Sequence, residues 1–185
     1  MTEIQKHEEF KAAGNNYEFP AEPSLGKEIL FLLVKIAAII LAFLLVFTFL
    51  FGLCRNSDAS MVPSVKDGDL VMFYRLDKSY VAQDTLVLEF KGKKQVRRVI
   101  ATAGDTVDIT EDGLLVNGAL QQEAGIYTPT QRYEDGVEFP LTVREGEVFV
   151  LGDSRENSTD SRIYGAVKVK DTLGKVMTIL RRRNI

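Results

Sequence analysis

Between Ile29 and Cys54 the chain is apolar, with Lys35 as its one charge. The uncharged part, Ile36–Cys54, would span roughly 28 Å as a helix at about 1.5 Å per residue. That nearly matches the ~30 Å hydrocarbon core of a bilayer, and Lys35 can snorkel to the near interface. A cleavable signal peptide is the rival reading. Its apolar region would be too long, its leading region too acidic, and no clean Ala-x-Ala site follows. A lipoprotein signal is disfavoured because Leu53 stands where a small residue is wanted before Cys54. Residues 29–54 are therefore expected to form one retained transmembrane helix. Lys27 and Lys35 lie on one side and Arg55 on the other, so the positive-inside bias leaves the orientation open.

The remainder bounds the chemistry. At 185 residues the chain has room for an anchor and one domain with a core. A formal net charge of -3 gives a nucleic-acid partner no electrostatic support. The single cysteine, Cys54, can form neither an internal disulfide nor a cysteine-based metal site. The single histidine, His7, lies in residues 1–28, a polar, acidic stretch expected to be a disordered tail. Histidine is thereby removed from the candidate bases of the domain.

From Arg55 onward the pattern changes period, and residues 55–185 read as a domain of short strands. Leu70–Tyr74, Thr85–Phe90, Gln95–Ala101 and Glu147–Leu151 are strand candidates. Val107 and Ile109 alternate with Thr106, Asp108 and Thr110, as in a half-buried strand. Asp112-Gly113 and Asn117-Gly118 are hairpin signals flanking Leu114–Val116. Residues 121–140 carry Gly, Pro and charge and read as a surface excursion. Val167–Val169 and Lys175–Leu180 close the chain. No long stretch keeps a helical period, so the expected fold class is mainly antiparallel β after one N-terminal helix.

Three stretches could carry chemistry. Ser57–Ser64 reads Ser-Asp-Ala-Ser-Met-Val-Pro-Ser. Pro63 fixes its own φ and biases Val62 toward extended backbone, which predicts a rigid, extended segment around Ser60. Alone, this stretch is better read as a linker leaving a membrane. The others are Val96–Asp105, with the pair Arg97-Arg98 ahead of Gly104-Asp105, and Gly152–Arg162, Gly-Asp-Ser-Arg-Glu-Asn-Ser-Thr-Asp-Ser-Arg. In this order, after a membrane segment, they resemble the type I signal peptidases, membrane-anchored Ser–Lys proteases of bacteria, and most closely the compact Gram-positive type.

The resemblance implies a coiled antiparallel β domain outside the cell membrane, with a cytoplasmic N-terminus and no metal or cofactor. It implies an endopeptidase that removes signal peptides from exported preproteins after Ala-x-Ala-like sites. Ser60 takes the place of the nucleophile, Met61 and Pro63 match the residues after it, and Ser64 stands where Thr is usual. Ser158 takes the place of the serine that orients the lysine base, and would bond whatever occupies that lysine's position. Arg98 with Asp153 and Asp160 with Arg162 match pairs that hold the fold.

The departure falls on the base itself. Arg97 stands where the lysine belongs, and a guanidinium with a pKa above about 12 cannot accept the serine's proton. Lys93 shares a strand face with Arg97 but lies roughly 13 Å away at ~3.3 Å per residue, so rescue by Lys93 or Lys94 needs a bulge or a slip. Asp58 replaces a Ser or Gly that lines the oxyanion site, and a carboxylate there opposes a developing oxyanion. Two opposite charges at converging positions predict an Asp58–Arg97 ion pair; the rival is that both are exposed and unrelated. The alternative function is a catalytically impaired relative that acts as an assembly chaperone for a pilin or surface-protein subunit. An engineered Arg97 does not explain Asp58 or Ala101-Thr102-Ala103, which replaces the usual Gly-x-Pro. A self-cleaving repressor-type protein is disfavoured by the membrane segment. Arg181–Arg183 could touch anionic lipid heads.

Overall fold

The computed structural model describes residues 25–181. Most of the expected tail, including His7, lies outside the described residues, as do Arg182 and Arg183. Helix α1 runs Leu25–Leu50, with no buried residue. Its 26 residues are long and apolar enough to cross a membrane.

The helix differs from expectation at both ends. Residues 25–28, assigned to the tail, are its first turn. Its last expected turn is instead β1, Phe51–Arg55. This strand pairs antiparallel with β2, Leu70–Tyr74, from Phe51↔Tyr74 to Arg55↔Leu70. Gly52 and Cys54 face inward and Leu53 outward, the period of a strand. Gly52 lies flat on the Phe73 ring, where a Cβ would come within 2.2 Å of the ring. An apolar run contains no period that separates strand from helix, so only the partner strand marks the boundary.

The other strands are β3 Thr85–Phe90, β4 Lys93–Ala101, β5 Thr106–Thr110, β6 Gly113–Val116, β7 Ala119–Leu120, β8 Leu141–Thr142, β9 Glu147–Leu151, β10 Val167–Lys168 and β11 Thr172–Leu180. A short helix α2, Ser161–Tyr164, follows β9. Among the described residues the strands form two antiparallel sheets. One is ordered β1-β2-β11-β3-β4-β9-β10 and the other β7-β6-β5-β8. Asn117 and Gly118, at φ 54 and 78, make the two-residue turn between Val116 and Ala119; both centres of a type I′ turn need positive φ. The Asp112-Gly113 signal is displaced by one residue. Thr110 pairs with Gly113, so Glu111 and Asp112 form the turn and Gly113 opens β6 at φ 126.

The core forms three clusters. One, of Ile100, Val107, Ile109, Leu114, Val143, Phe149 and Leu151, joins the smaller sheet to the larger. Another lies around Leu86, Leu88, Val99, Val148 and Val150. The third contains Cys54, Val71, Phe73, Val87 and Val96, and receives Met61 and Val65 from the loop after β1. That loop carries Ser60.

Candidate functional site

The loop between β1 and β2 is held from inside. The Asn56 carboxamide donates to the Asp58 and Lys66 carbonyls, at 2.7 and 3.1 Å. The Asn56 amide donates to the Asp69 carbonyl at 2.8 Å. Met61 and Val65 are fully buried, so the loop is pinned to the core immediately after Ser60. The expectation of an extended segment is not met here. The Val62 amide donates to the Ala59 carbonyl and the Val65 amide to the Met61 carbonyl, closing a turn. Burying Met61 and Val65 in one cluster requires the chain to reverse between them. Pro63 sits inside this turn.

Ser60 is thereby fixed at the centre of a polar cluster. Its carbonyl accepts the Ser154 amide at 2.8 Å, tying the loop to the turn after β9. Its hydroxyl accepts from Arg97 Nη1 at 2.6 Å and donates to Asp58 Oδ1 at 2.6 Å. Its amide also donates to Asp58 Oδ1, at 3.2 Å. Arg97 Nη1 lies 3.6 Å from Asp58 Oδ2, so the expected ion pair forms, between a side chain 1% exposed and one 37% exposed. The rival, two exposed and unrelated charges, is excluded for Arg97 by its burial.

Arg97 reaches the site from β4, which pairs with β3 at Leu86↔Arg97. Each of its nitrogens donates: Nη1 also to the Val96 carbonyl at 2.6 Å, Nε and Nη2 to the Thr159 carbonyl at 3.1 and 3.0 Å. The expected Ser158 contact is absent. The planar fork of the guanidinium is taken up by the Thr159 carbonyl, and Ser158 Oγ is buried without a partner among the described residues. Ser158 and the Ser60 backbone do meet at Gly152. A Cβ on Gly152 would come within 2.2 Å of Ser158 Oγ and 2.6 Å of the Ser60 carbonyl. Lys93 and Lys94 are exposed at the start of β4, and the pairing of β4 with β3 runs from Arg98 to Lys93 without the bulge or slip that rescue would need.

The flanking pairs are as expected. Arg98 donates to both oxygens of Asp153, at 2.8 and 2.6 Å, and to Ser64 Oγ at 3.2 Å. The Asp153 hydrogen bonds hold the Arg98 guanidinium above its ordinary pKa, against desolvation. Asp160, fully buried, accepts from Arg162 Nε at 2.9 Å, Nη2 at 2.8 Å and the Arg162 amide at 3.1 Å. It also accepts from the Gly152 amide at 3.1 Å, joining α2 to the end of β9.

Sequence reasoning missed three groups. Arg155 is 1% exposed and donates to the Gly152 carbonyl, Thr130 and Glu123. The 121–140 segment is therefore no mere surface excursion, since Thr130 and Glu123 anchor it to a buried cation. Asn56 gave no signal beyond lying just past the apolar run. Tyr164, its ring tilted against Phe90, holds a buried hydroxyl whose pKa is pushed up by desolvation, with the Arg97 charge opposing. Beside the loop, a cavity of ≈ 470 Å³ is lined by Pro63, Ser64, Arg98, Ile126, Asp153 and Arg155.

Among the described residues no cluster of His, Cys, Asp and Glu could hold a metal ion. The arrangement offers a serine hydroxyl with a cation donating to it and a carboxylate accepting from it.

A family model described as signal peptidase, peptidase S26, matches residues 29–180. The chain is 30% identical over 170 residues to signal peptidase IB of Staphylococcus aureus (strain COL), covering 82% of this chain and 89% of the relative. It is 32% identical over 154 residues to signal peptidase I P of Bacillus subtilis subsp. natto, covering 75% and 83%. A crystal structure of a signal peptidase I from Enterococcus faecalis aligns at TM-score 0.45 and 30% identity, over 54% of this chain and 97% of that one.

Proposed function

The chain belongs to the signal peptidase family, peptidase S26, and from that membership we propose that it binds the signal-peptide segments of exported preproteins without rapidly cleaving them. Helix α1 anchors it in the cell membrane, with the N-terminus cytoplasmic and the β domain outside. The client enters extended and adds as a strand, small side chains seated in shallow pockets. The cavity bordered by Pro63 and Ser64 supports such a seat. Pilin or surface-protein subunits that carry signal peptides fall within this client class, and holding them rather than cutting them is a chaperone's task.

The observation that carries the reading is the 2.6 Å contact in which Arg97 donates to Ser60 Oγ. Deprotonating a guanidinium near pH 7 costs on the order of 7 kcal/mol or more, from a pKa above about 12 at ~1.4 kcal/mol per unit. The other neighbour, Asp58, accepts the hydroxyl proton at 2.6 Å. Carboxylates as a class are weaker bases than amines by about six pK units, or roughly 8 kcal/mol. Neither partner matches the neutral amine of a Ser–Lys dyad, so binding survives and turnover does not.

The test uses the detergent-solubilised full chain and a preprotein peptide with an Ala-x-Ala site. Binding is read by anisotropy and cleavage by chromatography. The expected result is saturable binding with the peptide left intact, unchanged in Ser60→Ala. Rapid cleavage that disappears in Ser60→Ala overturns the reading and restores the serine endopeptidase, signal peptidase I type, as the function.

A further inference from the structure

We infer that Asp58 is a second block on the site, independent of the missing amine: it occupies the Ser60 amide and would hold a lysine at position 97 in its charged form. The inference rests on the proposed reading of the site as a signal-peptidase groove without a base.

One carboxylate touches each group that acyl transfer would use. Asp58 Oδ1 takes the Ser60 hydroxyl at 2.6 Å and the Ser60 amide at 3.2 Å, while Oδ2 faces Arg97 Nη1 at 3.6 Å. The amide of a nucleophilic residue is a natural donor to the oxyanion of a tetrahedral intermediate. Here that donor already points at an anion, and a carbonyl oxygen arriving there would meet like charge. The carboxylate also lies at the cation position. An opposite charge within about 4–6 Å favours the charged form of an amine. A lysine replacing Arg97 would therefore be kept as ammonium, the state that cannot accept a proton. The other titratable group whose environment includes Arg97 is the Tyr164 hydroxyl on α2, which burial keeps neutral. The remaining neighbours, the Val96 and Thr159 carbonyls and the Ser60 hydroxyl, carry no charge.

Asp58 and Arg97 are thus matched. Removing Asp58 alone leaves a buried guanidinium without its anion, and removing Arg97 alone leaves the anion to trap its replacement. Changing the Asp58 side chain does not release the loop, because the Asp58 carbonyl is held by Asn56 at 2.7 Å.

The experiment compares kcat/KM for the Ala-x-Ala peptide between about pH 6 and about pH 10 in the parent, Asp58→Ser, Arg97→Lys, the double variant, and the double variant with Ser60→Ala. All are full-length, with thermal melts to establish folding. Both single variants are expected to remain blocked, Asp58→Ser for want of an amine and Arg97→Lys for want of a neutral one, and the double variant to exceed either by about a hundredfold or more. That gain should vanish with Ser60→Ala. Any activity of Arg97→Lys should rise about one pH unit or more higher than that of the double variant, a shift that a purely structural role for Asp58 would not give. The inference is overturned if Arg97→Lys alone equals the double variant with the same pH limb, or if a folded double variant does not cleave. Rapid cleavage by the parent would sink the proposed function instead, while the comparison of double with single variants would still read the role of Asp58.

Discussion

Replacing Asp160 by Asn should be among the most damaging isosteric changes available to this domain. Asp160 is 0% exposed and its partner Arg162 2%. The carboxylate accepts four hydrogen bonds, three from Arg162 and one from the Gly152 amide. Asparagine keeps the shape and one acceptor oxygen but leaves a buried guanidinium without a counter-charge. Breaking a buried pair in this way costs about 3–5 kcal/mol, against a total of about 5–15 kcal/mol for a domain. With a urea slope of roughly 2 kcal/mol per molar, the unfolding midpoint should fall by about 2 M. The assay is urea unfolding of the detergent-solubilised full chain, followed by circular dichroism of the β domain. The double variant Asp160→Asn with Arg162→Met separates lost charge from lost packing. Removing both charges should recover much of the loss, since an apolar replacement avoids the desolvation penalty. A midpoint shift below about 0.5 M, or a double variant worse than the single, would show that the buried pair does not hold the domain in this way.

Two further outcomes are expected. Gly152→Ala should destabilise by about 1–3 kcal/mol or more and weaken peptide binding, because the added Cβ meets Ser158 and the Ser60 carbonyl at 2.2–2.6 Å; unchanged stability and binding would show that the Ser60 loop yields freely. The Asp105 carboxyl is held below the usual carboxylate range, first by the Thr102 amide and then by Asn117. With a folded pKa depressed below the unfolded value, its contribution is present above the unfolded pKa and lost as pH falls through the folded one. Asp105→Asn should therefore flatten the decline in melting temperature on the acid side, and parallel curves for parent and variant would remove Asp105 from the acid response.

Much of the fold was legible because period and turn chemistry act locally. Leu70–Tyr74, Thr85–Phe90 and Glu147–Leu151 are short apolar runs set off by turn residues and are strands at those bounds. Asn117-Gly118 named its turn because few other residues accept two positive φ values in succession. The end of α1 was not legible, since Phe51–Arg55 is apolar like the helix before it and is a strand only because β2 lies beside it. The same distinction divides the site. Ser60, Arg97 and Asp58 were found from the resemblance of three short stretches to the signal peptidases, and their convergence is observed. That the Thr159 carbonyl, not Ser158, receives Arg97 depends on the fork geometry of a side chain that sequence spacing does not describe. Arg155 was hidden because its partners Glu123 and Thr130 lie 32 and 25 residues away in a segment without period.

Gly152 sits where the Ser60 loop, the Ser158 turn and the end of β9 meet, with space for a hydrogen and nothing larger. The Ser60 loop is separated from the other two by about ninety residues of chain, yet all three share one contact that any side chain would crowd. Lengthening or reshaping either loop is thereby filtered through a position that cannot adapt to it. In lineage terms, the Ser60 loop and the turn that faces it should change together or not at all, and a change of side chain at positions 58 and 97 is the kind of novelty such a junction still admits, because it leaves the backbone where it was.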